Sequence, residues 1–146
     1  MPSTYLHELD TVQNRVFKAR MAERLGGTNS ISSCFAAAYS AVLVLGTAMA
    51  EAGSDDPAAV REIVTARRFA TPLGELRIDP RTHHADLTPH LARAGADGRF
   101  HILKQSSGAI AADPYLAGLA ARAALTSRPA GFPREASRAQ SLRVVK

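Results

Sequence analysis

The stretch SCFAAAYSAVLVLGTAMAEAG, residues 33–53, decides the fold class of this chain. Small and aliphatic residues fill it, and no charge occurs in it before Glu51. Ser32 or Ser33 can cap the first turn, and the closing glycine can end the helix in a left-handed conformation. The pattern therefore predicts one long apolar helix that ends at Ala52.

Two environments suit a helix of this composition. A membrane span needs about 20 apolar residues, and this stretch is long enough. It consists mainly of Ala, Ser, Gly and Thr, however, with one strongly apolar block at residues 42–45, and no basic residues flank it to set an orientation. We therefore expect a buried helix that packs on a sheet, with no membrane span.

A shorter helical pattern precedes this stretch, from about Thr11 to Leu25. Asp10 or Thr11 can cap this helix, and Gly26 can end it. Its apolar residues recur at helical spacing and predict a single buried stripe. The stripe consists of Val12, Val16, Phe17, Met21 and Leu25.

After the long helix the pattern changes from helical to extended. A third, short helix is expected from Pro57, capped by Asp55 or Asp56, to about Arg67 or Arg68. Beyond it, turn residues separate short alternating segments that are typical of strands. We expect a turn at residues 71–74, a strand over 75–79, and a hairpin of 91–94 with 100–103 around 95–98. The predicted fold class is α/β, with helices first and short strands after them.

The charge of the chain is concentrated in its last residues. The formal net charge is +5 at pH 7, yet acidic and basic residues are equal in number up to Gly118. A folded nucleic-acid-binding domain usually carries its basic patch on its own surface, so we expect no nucleic-acid partner. We predict a folded domain over residues 1–118 and a basic, disordered tail over residues 119–146.

No residue set predicts catalysis. His83, His84 and His90 lie near two aspartates, but their spacing matches no known metal-binding pattern. Cys34, the single cysteine, has no His that the sequence places beside it, and the simpler interpretation is a small buried residue in the long helix. We therefore expect no enzyme, no catalytic residues, no metal and no cofactor.

Several segments resemble, in their order and spacing, the solute-binding proteins of the type 1 periplasmic-binding fold. The first is a loop and a helix with the pattern D-T-x-x-N-x-x-F, and the second is a long helix that starts with A-A-Y. A turn with P-x-G and a closing D-P-Y follow. The matching residues are Asp10, Thr11, Asn14, Phe17, Ala37, Ala38, Tyr39, Pro72, Gly74, Asp113, Pro114 and Tyr115.

The resemblance covers residues 5–118 and is nearest to substrate-binding components of urea and short-chain amide ABC transporters and to cytoplasmic amide sensors. Leu/Ile/Val-binding proteins are relatives, and His84 falls where the urea and amide members usually have a His. Family members are much longer and have two lobes that close over the ligand. In addition, Ala36 replaces an acidic residue that often precedes A-A-Y. The resemblance therefore implies an incomplete type 1 fold.

The function implied by the resemblance is non-enzymatic binding of a small amide, urea or amino-acid solute for an ABC transporter. The alternative is a cytoplasmic amide-sensing protein that regulates transcription through a protein partner. Helix N-termini face the cleft in such folds and carry free N–H groups, so Ser33, Cys34 and Phe35 are expected to lie next to the ligand. A permease or regulator partner is implied, and helix faces left exposed predict self-association.

The first ten residues contain no apolar segment of the kind that a secretion signal needs. We expect a cytoplasmic location for the chain as written, and a periplasmic one if it is a fragment of a longer exported precursor.

Overall fold

All three predicted helices are present in the computed structural model, which describes residues 1–27 and 30–114. They are α1, Val12–Leu25, α2, Ser33–Ala52, and α3, Pro57–Ala66. The predicted basic tail, residues 119–146, lies outside the described residues.

Each helix begins at a polar cap. The side chains of Thr11, Ser32 and Asp56 each accept a hydrogen bond from a backbone N–H group in the first turn. Helices α1 and α2 end at Gly26 and Gly53, whose φ angles are 69° and 60°. This left-handed conformation is favourable for glycine and costly for other residues. Local features therefore determine the bounds of the helices.

Within the described residues, six short strands form two antiparallel sheets. In chain order they are β1 (Pro2–Ser3), β2 (Arg68–Thr71), β3 (Gly74–Ile78), β4 (Ala85–Asp86), β5 (His90–Ala94) and β6 (Phe100–Gln105). One sheet has the order β1-β5-β6 and the other the order β2-β3-β4. The predicted α/β class, with helices followed by short strands and a hairpin, is confirmed.

The predicted hairpin corresponds to β5 and β6. Gly98 has a φ of 74°, and the Gly95 N–H donates to the Arg99 carbonyl oxygen at 2.8 Å, which closes the turn. A second hairpin joins β2 to β3 through the predicted turn at residues 71–74. Its first strand was not predicted, because only a few residues separate the expected end of α3 from the expected turn.

One hydrophobic core joins the helices to both sheets. The loop before α1 and elements α1, α2, β2, β3 and β5 all contribute side chains to it. The core cluster consists of Tyr5, Leu6, Leu9, Phe17, Met21, Ala36, Val44, Phe69, Leu73, Leu76 and Ala92.

The predicted buried stripe of α1 is wrong in part. Phe17 and Met21 are buried, whereas Val12, Val16 and Leu25 are 60%, 56% and 65% exposed. Only the middle of the stripe lies against the core, because the described residues place no layer over its two ends.

Helix α2 is strongly apolar, yet only a minor part of it is buried. Its most apolar window has a mean hydropathy of 1.7, but only 22% of that window is buried. Among the described residues it is the one helix with the length and composition to cross a membrane, a property that core helices of soluble proteins share. The expectation of a buried helix therefore holds for one of its sides.

Candidate ligand-binding site

A hollow of about 490 Å³ lies beside the N-terminus of α2. Helix α1, the loop before it and the segment before α2 form its walls. Pockets that hold small organic ligands have volumes of this order. The lining residues are His7, Lys18, Ala19, Met21, Ala22, Leu25, Gly27, Ser30, Ile31, Ser32 and Phe35.

Two hydrogen bonds at residue 7 fix the polar side of the hollow. The Lys18 ammonium group donates to the His7 carbonyl oxygen at 3.1 Å. The Ile31 N–H donates to His7 Nδ1 at 3.2 Å. An ammonium group has three N–H donors, so Lys18 retains donors for a ligand.

The surroundings of His7 favour its neutral form. Burial, followed by the Lys18 ammonium group, lowers the pKa of the His7 imidazole below its ordinary value of 6.5, while the Glu8 carboxylate acts in the opposite direction. Because Nδ1 accepts a hydrogen bond from Ile31, the neutral ring carries its proton on Nε2. His7 therefore lines the hollow as a neutral ring whose second nitrogen is a donor.

Acidification is expected to destabilise the fold through His7. The folded-state pKa lies below the ordinary value of 6.5, so the unfolded chain binds protons first as the pH falls. The stabilising contribution is present above pH 6.5 and is lost as the pH falls through the folded-state pKa. His7→Asn keeps an oxygen acceptor for the Ile31 N–H but does not titrate. Its free energy of unfolding, measured in urea, should vary less than that of wild type between about pH 7 and pH 5.

The matched control for this prediction is His84→Asn. His84 is exposed and lies outside the hollow, so the pH profile of its variant should follow that of wild type. An unchanged profile for His7→Asn, or the same flattening in both variants, would contradict the role of His7.

The apolar side of the hollow rests on a cluster of aromatic rings. The Phe35 ring stacks on Phe17 with centroids 6.3 Å apart and planes at 27°. Phe17 also contacts Tyr39, at a centroid distance of 4.6 Å, and Tyr5, at 6.4 Å. Phe17 is 2% exposed and Phe35 is 44% exposed. Phe35 therefore presents an aromatic surface that the buried rings hold in place.

The three residues predicted to lie next to the ligand form the first turn of α2. Phe35 lines the hollow, whereas Ser33 and Cys34 are exposed and lie outside its lining. The Phe35 N–H donates to Ser32 Oγ at 3.2 Å, so among the described residues the first-turn donors left without a partner are the N–H groups of Ser33 and Cys34. The exposure of Cys34 shows that the expectation of a small buried residue is wrong.

Sequence reasoning missed His7 and Lys18. His7 stands in a loop, and Lys18 lies outside the predicted apolar stripe of α1, so neither belongs to a motif. In the fold the Lys18 ammonium group reaches the His7 carbonyl oxygen, although Lys18 lies in the middle of α1 and His7 lies in the loop before it. The only available signal was the position of Lys18 directly after Phe17, at the border of the buried stripe.

The histidines near β4 do not form a site in the part of the chain that the structure describes. His90 is 5% exposed within β5, whereas His83 and His84 are exposed in the loop before β4. His84 Nδ1 lies 2.7 Å from the Thr82 carbonyl oxygen. Within residues 1–27 and 30–114, no group of three or more His, Cys, Asp or Glu side chains is placed to hold a metal ion.

The helices, the two small sheets and the donor-lined hollow define part of an α/β solute-binding fold. A family model described as "Periplasmic binding protein domain" matches residues 2–120, and the chain belongs to this family. The family description does not support the cytoplasmic location expected from the sequence.

Solved ABC-transporter solute-binding proteins share this fold. The amino acid ABC transporter substrate-binding protein from Pseudomonas fluorescens Pf-5 matches with a TM-score of 0.66 and 23% identity, over 77% of this chain and 31% of that one. A solute-binding protein from Rhodopseudomonas palustris, in complex with benzoate, matches with a TM-score of 0.65 and 18% identity. This match also covers 77% of this chain and 31% of that one. The chain therefore spans less than a third of these solved relatives.

A curated relative carries an enzyme name. Limonene hydroxylase from Geobacillus stearothermophilus is 30% identical over 114 residues, which is 78% of this chain and 21% of that protein. Most of the hydroxylase thus has no counterpart in this chain. The name therefore transfers no activity to it, and the family to which the chain belongs is one of solute-binding proteins.

Proposed function

We propose that this chain contributes one wall of the ligand site of an ABC-transporter solute-binding protein, and that the ligand is a small amide, urea or amino-acid solute. The observation that supports this most directly is the hollow beside α2, whose lining combines donors from His7 and Lys18 with apolar side chains. A compact solute with a carbonyl or carboxylate oxygen fits this combination. The proposal includes no catalytic step, and the implied protein partner is the membrane permease.

Lys18 is expected to bind two kinds of ligand oxygen with different strength. Its ammonium group binds the neutral carbonyl oxygen of an amide or urea, and it binds a carboxylate more strongly because both partners are then charged. A hydrogen bond to a charged group contributes about 1.5–3 kcal/mol. Within the proposed class, amino acids are therefore expected to bind more tightly than neutral amides.

The first turn of α2 extends the set of donors. The N–H groups of Ser33 and Cys34 stand at the helix start, where no carbonyl of the same helix can accept from them. The helix dipole adds a partial positive charge at this end. We propose that these N–H groups approach the ligand oxygen from the rim of the hollow, while the Phe35 ring contacts its apolar part.

Titration of the full chain with acetamide, urea, L-leucine and benzoate, followed by NMR, tests the proposal. We expect saturable binding of at least one solute, with a Kd of about 1 mM, because a single wall makes few contacts. Lys18→Met should weaken this binding about tenfold or more, the equivalent of one charge-assisted hydrogen bond. Phe35→Ala should weaken it as well, by removal of the aromatic contact.

The matched control is Lys104→Met, which removes an exposed lysine of β6 that lies outside the hollow. Its Kd should equal that of wild type. Failure of all four solutes to bind, or equal weakening by the two lysine substitutions, would rule out the proposed site.

A further inference from the structure

The charge of the hollow beside α2 comes from a single side chain. Among its described lining residues, Lys18 is the only one that carries a full charge, and it is a cation. The other ionisable lining residue is His7, and burial and Lys18 lower the pKa of its imidazole. The remaining lining residues are glycine, serine and apolar residues, which contribute no carboxylate. A ligand in the hollow therefore meets a positive polar end and no acidic side chain from the described residues.

The two carboxylates of the loop before α1 are engaged outside the hollow. Glu8 follows His7 in the sequence, but its Oε1 accepts a hydrogen bond from the Phe100 N–H at 3.2 Å, and its Oε2 is buried. Asp10 is paired with Arg15 on the exposed side of α1. Neither carboxylate lines the hollow. A cationic group on a ligand therefore finds no partner in this loop.

The pKa of His7 indicates the sign of the electrostatic potential at the polar end of the hollow. Burial is the largest cause that lowers the pKa of its imidazole, and the Lys18 ammonium group is the next. The Arg99 guanidinium group also lowers it, whereas the Glu8 carboxylate raises it. Two cations thus act on the ring against one carboxylate. A positive potential at this end favours an anionic group and disfavours a cationic one.

The lining also determines how a carboxylate ligand lies in the hollow. Its carboxylate belongs beside Lys18 and His7, and its apolar part belongs against Met21, Leu25 and Phe35. A substituent on the α-carbon is attached directly beside the carboxylate, so it stays close to the Lys18 ammonium group. If that substituent is itself an ammonium group, two like charges lie close together, which disfavours binding.

We propose that the hollow selects apolar monocarboxylates that carry no amino group, and that Lys18 is the residue that determines this selectivity. This inference rests on the proposed function, because it names the preferred ligand class of the same hollow. The preferred ligands are simple carboxylic acids and 2-hydroxy acids with an apolar chain. Amino acids of the same shape bind more weakly, because their ammonium group offsets part of the gain from the carboxylate.

Two ligands of nearly equal size test the inference. L-Leucine and L-2-hydroxy-4-methylpentanoate share their carbon skeleton and their carboxylate, and they differ only in an ammonium or a hydroxyl group on the α-carbon. The Kd of each is measured by NMR titration of the full chain near neutral pH and at low salt, where charges are little screened. We expect the hydroxy acid to bind about tenfold more tightly than leucine.

Lys18→Met removes the cation and keeps an unbranched side chain. The hydroxy acid should lose more affinity than leucine in this variant, so the ratio of the two Kd values should fall to about threefold or less. The ratio is measured within one variant, so a general loss of stability affects both ligands alike. The matched control Lys104→Met, at an exposed position of β6, should keep the wild-type ratio.

Ser30→Asp is the converse variant. Ser30 lines the hollow and is exposed, so an aspartate there adds a carboxylate without filling a buried position. The ammonium group of leucine then gains a partner of opposite charge, and the ratio of the two Kd values should again fall. The matched control is Ala58→Asp, at an exposed position of α3 outside the hollow, which should keep the wild-type ratio.

The outcomes separate this inference from the proposed function. Equal Kd values for the two ligands, or tighter binding of leucine, would overturn the inference and leave the proposed function in place. An unchanged ratio in Lys18→Met would also overturn it, because the selectivity would then not come from this lysine. Failure of both ligands to bind would overturn the inference, and the proposed function would fall with it only if acetamide, urea and benzoate failed to bind as well.

Discussion

Replacement of Phe17 by alanine is expected to lower the free energy of unfolding by about 3–5 kcal/mol. The Phe17 ring is 2% exposed and contacts the rings of Tyr5, Phe35 and Tyr39. Its removal leaves a cavity between α1 and α2 that the helices can fill only in part. Since a domain of this size is stable by about 5–15 kcal/mol, the variant should be close to unfolding.

Urea unfolding followed by circular dichroism measures this effect, with Val16→Ala as the control. Val16 is the neighbouring residue of α1 and is 56% exposed, so its truncation should change the free energy of unfolding by about 0.5 kcal/mol or less. A loss below about 1 kcal/mol for Phe17→Ala would show that the aromatic cluster does not support the core as described.

Asn14→Ala is expected to cost about 3 kcal/mol or more, because Asn14 is 0% exposed and links three groups. Its Oδ1 accepts a hydrogen bond from the Tyr5 hydroxyl at 3.0 Å, and its Nδ2 donates to the carbonyl oxygens of Leu9 and His7 at 2.7 Å and 3.2 Å. Burial, and then Glu8, raises the pKa of Tyr5 to about 12, so its hydroxyl stays protonated as a donor. Alanine leaves the Tyr5 hydroxyl and the Leu9 carbonyl oxygen without this partner, at about 1–3 kcal/mol each, whereas the His7 carbonyl oxygen keeps its hydrogen bond from Lys18.

Gln13→Ala is the control for this substitution. Gln13 is the adjacent α1 residue and is exposed, so its variant should unfold at the urea concentration of wild type within error. If Asn14→Ala and Gln13→Ala proved equally stable, the loop before α1 would not depend on Asn14 for its conformation.

The sequence predicted the helices well because their ends depend on neighbouring residues. The side chains of Thr11, Ser32 and Asp56 and the glycine after α1 act within one turn, so no tertiary information is needed to locate them. Strands β1 and β4 were missed because two residues carry no periodicity. Strand β1 forms through pairing with β5, which lies far away in the sequence, and strand β4 forms through pairing with β3, which lies beyond a loop.

The site was predicted less completely than the fold. The start of α2 was predicted as its location, and of the three residues named there only Phe35 lines the hollow. His7 and Lys18 were not identified, because the bonds that place them run from side chain to backbone across the fold. The exposure of Val12, Val16 and Leu25 was also unpredictable, since an apolar residue in a pattern does not reveal whether its covering layer is part of the same chain.

Amide hydrogen exchange along α2 tests most directly the claim that this chain is one part of a larger fold. Exchange through local opening slows when a surface is covered. We expect the α2 amides of the full chain to exchange at least tenfold more slowly when the Pseudomonas fluorescens protein without its matched segment is present as a separate, complementary polypeptide. Exchange that is already limited by global unfolding in the chain alone, and that is unchanged by the complement, would contradict the claim.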